Sequence, residues 1–262
     1  MGWAFKIGSL FGIPIRLHIT MAIVPFFAYY TVGGGGAVGF ALALALTVLL
    51  FGSVVAHELG HALTARRFGV RTADIVLLPI GGVARIVNLP KRPAHEIAIS
   101  LAGPIVSIAL AGTAFLLLIP SVLISEYAVT ALTALLYINI VLGLFNLVPA
   151  LPMDGGRVLR GLLALKRDYL SATRIAARIG RAIAVAGFVY AIYSGDVMLG
   201  FIAAFIFFGA GTEERIAWMR AAAPPPMDGG AVPRGPRRDG DVIVIQGGRA
   251  EVISRKDPEE RS

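Results

Sequence analysis

Long runs of apolar residues fill most of this chain, and short polar or glycine-rich connections separate them. A helix needs about 20 such residues to cross the ~30 Å hydrocarbon core of a bilayer. On this criterion the pattern predicts six spans, the first marginally short, at residues 17–32, 38–64, 96–119, 126–148, 176–193 and 197–212. We therefore expect an all-α polytopic membrane protein with six transmembrane helices.

Two stretches carry a different pattern. Residues 3–16 mix apolar residues with glycine and proline, which favours a short β-hairpin at the membrane surface. Residues 69–92 are β-branched in places and are interrupted by Pro79, Gly81 and Gly82. Short membrane-associated β elements, either strands or a re-entrant segment, are therefore expected near the N-terminus and after the second span.

Composition divides the chain into three expected parts. Residues 1–16 form the surface hairpin, residues 17–217 the membrane domain, and residues 218–262 a tail rich in proline, glycine and arginine. Such a tail cannot bury enough apolar surface to fold, so we expect it to be largely disordered. The patch at 241–246 has a strand-like composition but would need a partner edge.

Charge and composition refine this picture. The 262 residues are 56% hydrophobic and 15% charged, with a mean hydropathy of +0.77 and no cysteine, so a metal site would use nitrogen and oxygen ligands. No apolar leader region opens the chain, and we expect no removable signal peptide. None of the 24 Lys and Arg residues falls in the alternate connections 33–37, 120–125 and 194–196. The positive-inside rule therefore predicts a cell-membrane protein with both termini cytoplasmic, and the +8 net charge gives little reason to invoke nucleic acid.

The sequence HELGH at residues 57–61 lies within the second apolar run. Two histidines four residues apart share one face of a helix, so that His57 and His61 can bind one Zn²⁺ ion. Glu58 is then placed to accept a proton from the water that attacks a carbonyl group. The alternative is a chance match. It is disfavoured because each ionisable group inside an apolar span costs roughly 2.5–3.5 kcal/mol.

A catalytic zinc ion takes three protein ligands, and Asp154 is the candidate for the third. It follows the fourth span, at a membrane depth that matches HELGH, in a segment where Pro149 and Pro152 prevent a regular helix. The alternative is that Asp154 caps the helix that begins at Gly155, a common use of aspartate. The two interpretations are compatible at this point.

The pairing of HELGH with Asn-x-x-Pro-x-x-Pro-x-Asp-Gly at 146–155 resembles the site-2 protease family of intramembrane zinc metalloproteases. Residues 79–86 and 100–108 are also similar to that family, and the likeness covers residues 3–165. The connections are too short for a PDZ domain and the tail too short for paired CBS domains, which some members carry. The resemblance implies hydrolysis of a peptide bond in or next to a transmembrane helix of a membrane protein substrate.

Site residues follow from the resemblance. It implies that His57, His61 and Asp154 bind Zn²⁺, that Glu58 is the general base, and that Asn146 holds or polarises the substrate. The rival functions are a membrane metal-binding protein or cation transporter, and an inactive relative that binds helices without cutting them. The oligomeric state is left open.

Four further residues are considered beside these motifs. An edge strand at Gly81 and Gly82 is a candidate to hold an extended substrate by β-addition, and the alternative is that these glycines only make a turn. His18 lies at the start of the first span, where it either approaches the metal or is satisfied by interfacial water. Gly103 is expected to permit close approach of two helices.

Overall fold

The computed structural model describes residues 3–31, 36–79, 81–86, 92–121, 125–222, 242–246 and 249–253. The chain divides into two compact units, Met1–Ala217 and Trp218–Ser262. The helices are α1 Ile23–Thr31, α2 Gly36–Arg67, α3 Pro93–Ser121, α4 Glu126–Asn146, α5 Asp154–Ala164, α6 Tyr169–Ser194 and α7 Val197–Ala222, and a 3-10 turn at Ile19–Ala22 precedes α1. The strands are β1 Ala4–Leu10, β2 Ile13–His18, β3 Thr72–Leu78, β4 Gly81–Ile86, β5 Val242–Gln246 and β6 Arg249–Ile253.

Five helices in the described part of the chain are long and apolar enough to cross a membrane, namely α2, α3, α4, α6 and α7. The prediction of a multi-pass, mainly helical membrane protein is confirmed. The first predicted span differs, because its apolar helical segment covers only Ile19–Tyr30. Strand β2 takes up residues 17 and 18, which hydropathy alone assigns to the span. A sixth crossing at this point stays a prediction.

The predicted β elements are present, and they form one four-stranded sheet in the order β1-β2-β3-β4. The hairpin β1–β2 is joined to β3 by parallel pairing of Ile15 with Ile75 and of Leu17 with Leu77. Sequence analysis did not anticipate this pairing. The inner face of the sheet packs on the half of α2 that carries HELGH, where Leu59 and the other apolar residues of the first unit's core are buried.

Strand β4 forms one edge of this sheet and is held by an ion pair. Arg85 on β4 donates hydrogen bonds to both carboxylate oxygens of Asp74 on β3, and Arg16 on β2 contacts the same carboxylate at 2.9 Å. The hydrogen bond from Arg85 holds the pKa of the buried Asp74 carboxyl below its ordinary value. A single carboxylate therefore ties three strands together and fixes the edge strand.

The segment between α4 and α5 is not helical, as its two prolines predict. Helix α4 ends at Asn146 and α5 begins at Asp154. Between them, Ala150 and Leu151 are fully buried against small residues of α6 and α7. This packing sets the position at which α5 begins, and with it the position of Asp154.

A second ion cluster fixes α5 against its neighbours. Arg160 is 4% exposed, donates from Nε to Glu96 Oε1 of α3 at 2.7 Å and from Nη1 to Glu213 Oε2 of α7 at 2.9 Å. Its guanidinium also lies 5.1 Å from the centre of the Tyr169 ring. A buried arginine needs such compensation, and the result is a rigid connection among three helices.

The second unit contains the strands β5 and β6, which pair antiparallel from Val242 with Ile253 to Gln246 with Arg249. The strand-like patch at 241–246 therefore finds its partner edge within the tail. The expected disorder of the tail falls mostly on residues outside the described ones.

Candidate metal centre

Three buried side chains from two helices meet inside the first unit. His57 and His61 lie one turn apart on α2, and Asp154 is the first residue of α5. Asp154 Oδ2 lies 3.2 Å from His57 Nε2 and 3.1 Å from His61 Nε2, and the two imidazole nitrogens are 3.2 Å apart. The structure thus brings together the three residues that the sequence singled out as ligands.

The geometry of this cluster fits a single zinc ion. Tetrahedral zinc holds nitrogen and oxygen ligands at about 2.0–2.1 Å, which places the ligand atoms about 3.3 Å from one another. The three separations in the cluster are 3.1–3.2 Å. Two imidazoles and one carboxylate are also a normal donor set for a catalytic zinc site, and they leave a fourth position for water or substrate.

Helix α3 orients both imidazoles through hydrogen bonds at their Nδ1 atoms. The carbonyl of Ile99 lies 2.7 Å from His61 Nδ1 and can only accept, so this nitrogen carries the proton and Nε2 offers its lone pair to the cluster. Ser107 Oγ lies 2.9 Å from His57 Nδ1 and holds the second ring through a side-chain hydrogen bond. Ser107 is fully buried. Both rings are therefore held with Nε2 towards Asp154.

Gly103 allows α3 to pass directly over the two rings. A Cβ atom at this position would lie 2.2 Å from His61 Nε2 and 2.7 Å from His57 Nε2. Both distances are far shorter than van der Waals contact. An alanine here would therefore displace the two Nε2 atoms that face Asp154. The close approach predicted at Gly103 is confirmed, and what it approaches is the set of candidate ligands.

Asp154 does not act as a helix cap in this structure. The N-cap of α5 is Met153, and no side-chain cap hydrogen bond is present at that end of the helix. The Oδ2 atom of Asp154 is instead directed at the Nε2 atoms of both imidazoles, the arrangement in which a carboxylate can share one metal ion with them.

Glu58, His61 and Asp154 line a common cavity of about 220 Å³. Gly82, at the start of β4, packs against the Glu58 side chain so closely that a Cβ atom there would lie 2.6 Å from Glu58 Cγ. Gly81 precedes it with φ of +133°, a conformation that favours glycine. These two glycines lie in the edge strand itself, and the strand forms the wall of the cavity beside Glu58.

Two other predicted positions lie differently. Asn146 is the last residue of α4, donates from Nδ2 to the carbonyl of Leu142 at 2.9 Å, and is absent from the described residues that line the cavity. His18 caps the 3-10 turn by accepting from the backbone of Thr20, and it is not part of the metal-ligand cluster found among the described residues.

Sequence analysis missed three residues at the site. Ser107 and the Ile99 carbonyl orient the imidazoles, and Arg157 lines the cavity one turn after Asp154. The stretch 100–108 carried a signal only as a resemblance, since a serine on an apolar helix has no distinctive spacing. Arg157 reads as part of a basic cytoplasmic segment, and only the fold turns it towards the site.

Ser107→Ala is expected to weaken zinc binding by roughly 10–100-fold, because the His57 ring loses the partner that holds its orientation. Competition with a chromogenic chelator measures the affinity. Ser121→Ala removes a buried serine from the same helix, whose hydroxyl donates to the Leu118 carbonyl, and serves as the matched control. Equal affinities of the two variants would show that Ser107 does not orient the ring.

The fold and the site together define a class: a multi-pass membrane protein with a buried His-His-Asp metal-ligand set between two helices. A sequence profile of peptidase family M50 matches residues 45–131 and 120–187. The chain belongs to this family.

Individual relatives agree with this assignment. The zinc metalloprotease MJ0392 of Methanocaldococcus jannaschii is 39% identical over 216 residues, which cover 82% of this chain and 62% of that protein. Stage IV sporulation protein FB of Bacillus subtilis is 34% identical over 123 residues, or 47% of this chain and 41% of its own length. The solved structure of the site-2 protease from Methanocaldococcus jannaschii matches with a TM-score of 0.60 and 38% identity, over 81% of this chain and 96% of that one. The chain thus spans about three fifths of the length of the first of these curated relatives.

Proposed function

We propose that this protein is a zinc-dependent intramembrane endopeptidase, which hydrolyses a peptide bond in or near a transmembrane segment of a membrane protein substrate. The observation that carries the proposal is the approach of His57, His61 and Asp154 within 3.2 Å of one another, with Glu58 on the same cavity. Membership of peptidase family M50 and the names of the relatives support the same activity.

His57, His61 and Asp154 would hold the zinc ion in this proposal. When bound, zinc polarises the scissile carbonyl and lowers the pKa of a water molecule to about 7. Glu58 accepts the proton of the attacking water and passes it to the leaving amine. Gly82 keeps the Glu58 side chain against β4 and directed into the cavity. Asn146 would contact the substrate carbonyl once its amide turns away from Leu142.

Strand β4 is the proposed docking edge for the substrate. A transmembrane helix hides its amides in hydrogen bonds and must be extended before hydrolysis. In the described part of the chain β4 pairs only with β3, so its outer edge at Gly81 and Gly82 can accept an added strand. Its wall position beside Glu58 would bring an added peptide to the general base.

The distribution of basic residues supports the orientation in which both termini are cytoplasmic. Arg66 and Arg67 lie at the end of α2 that carries HELGH. Arg157 and Arg160 lie on α5, which begins with Asp154. The proposed chemistry would therefore take place near the cytoplasmic face of the membrane. The rival function, transport of a cation, gives Glu58 no task and receives no support from the named relatives.

The test uses purified full-length protein in detergent and a library of peptides derived from single-span membrane proteins, with new termini identified by mass spectrometry. We expect cleavage that disappears when a chelator removes zinc and returns when zinc is added back. Absence of new termini from protein that binds one zinc ion per chain would contradict the proposal.

A further inference from the structure

Arg157 lines the same cavity as Glu58, His61 and Asp154. It lies on α5 one turn after Asp154, and among the described residues that line this cavity it is the only lysine or arginine. The proposed metal chemistry gives it no task, and its ion pair with Glu213 on α7 is long. Its side chain is 38% exposed, so the guanidinium is accessible from the cavity.

The hydrogen-bonding capacity of Arg157 is largely unused within the described part of the protein. Its Nε atom is buried and has no hydrogen-bond partner there. Its Nη2 atom lies 4.0 Å from Glu213 Oε1, beyond hydrogen-bond distance. Arg160, one turn further along the same helix, instead makes close contacts with both Glu96 and Glu213. Arg160 therefore bonds to two glutamates, whereas Arg157 lines the cavity with an unpaired Nε donor.

We propose that Arg157 forms a subsite that binds an acidic side chain of the substrate peptide, so that cleavage favours Asp or Glu at one position near the scissile bond. This inference rests on the proposed peptidase function and adds a substrate preference to it. A guanidinium presents a planar fork of N–H donors that matches a carboxylate in two parallel hydrogen bonds.

The charges around the cavity make this subsite selective in both directions. Glu58 and Asp154 line the cavity as acids, a bound zinc ion would offset their charge, and Arg157 adds the positive charge that attracts an acidic substrate residue. A lysine at the same substrate position would meet Arg157 directly and be rejected by like charge. The expected order of preference is therefore acidic, then neutral, then basic.

The first experiment measures binding and does not depend on turnover. Peptides that differ only by Asp, Asn or Lys at each successive position are titrated into zinc-loaded Glu58→Gln protein, which forms no product. At one position we expect Asp to bind about tenfold more tightly than Asn, the range of a hydrogen bond to a charged group. Adding Arg157→Gln should remove this preference, and adding Arg157→Glu should reverse it in favour of Lys.

Arg174→Gln in the Glu58→Gln background is the matched control, because it removes one positive charge from an exposed position on α6 outside the cavity lining. It should leave the preference for Asp intact. Loss of the preference in this control to the same extent as in Arg157→Gln would overturn the inference, since net charge alone would then explain it.

The second experiment reads the cleavage sites that the wild-type protein makes in the peptide library. Enrichment of Asp or Glu at one position, lost in Arg157→Gln and retained in part in Arg157→Lys, supports the subsite. Zinc-dependent cleavage with no acidic preference at any position overturns this inference and leaves the proposed function standing. No zinc-dependent cleavage at all overturns the proposed function, and the subsite falls with it.

Discussion

Glu58→Gln is expected to abolish peptide cleavage while the zinc ion stays bound. The amide keeps the size and packing of the side chain against Gly82 but cannot accept a proton from water. General acid–base groups contribute about 10²–10⁴-fold to enzymatic rates, so we expect the rate to fall by about three orders of magnitude. Cleavage of the peptide library, with zinc content measured on the same sample, provides the readout.

The matched control is Glu126→Gln, which makes the same change at an exposed glutamate in the first turn of α4. It should cleave at the wild-type rate. A Glu58→Gln protein that retains zinc and cleaves as fast as Glu126→Gln would rule out Glu58 as the base, although the metal centre would remain.

Gly103→Ala is expected to destroy the metal centre without unfolding the helices. The added methyl group would lie 2.2 Å from His61 Nε2, so either the ring or α3 has to move and the ligand atoms no longer converge. We expect zinc affinity to fall by at least roughly 100-fold, the upper end of what loss of ring orientation alone costs. Cleavage should be lost together with zinc, and helix content measured by circular dichroism should be unchanged.

Gly112→Ala provides the comparison on the same helix. A Cβ atom at Gly112 meets nothing within 4 Å, so the same change in helix propensity occurs there without a clash. Zinc binding by this variant should match that of the wild type. If Gly103→Ala also bound zinc normally, α3 would have to be more mobile over the two imidazoles than its packing indicates.

Local spacing made the histidine pair predictable. Residues 57 and 61 must share a helix face whatever the rest of the chain does. Asp154 was predictable only because membrane depth limits which distant residues can meet. Pro149 and Pro152 predict the break between α4 and α5, since proline cannot continue a helix. This break places Asp154 at the start of a new helix beside the two histidines.

The remaining features depend on tertiary contacts that no local pattern encodes. The apolar pattern assigned residues 17 and 18 to the first span, yet they extend β2 because a parallel partner, β3, is available more than fifty residues away. Ser107 and Ile99 act on the imidazoles through a hydroxyl and a backbone carbonyl, and the carbonyl has no sequence signature at all. The unpaired Nε donor of Arg157 likewise becomes visible only in the folded structure, by comparison with Arg160, which bonds to two glutamates.

The parallel alignment of β2 with β3 also restricts the path of the chain between them. Helix α2 has 32 residues and is about 48 Å long, and it ends on the side where β3 begins. A strand paired side by side with β3 lies on that same side, whereas α2 begins at its other end, about 48 Å away. Strand geometry thus favours the predicted sixth crossing at Ile19–Tyr30, which would make an even number of traverses between β1 and the metal-bearing half of α2.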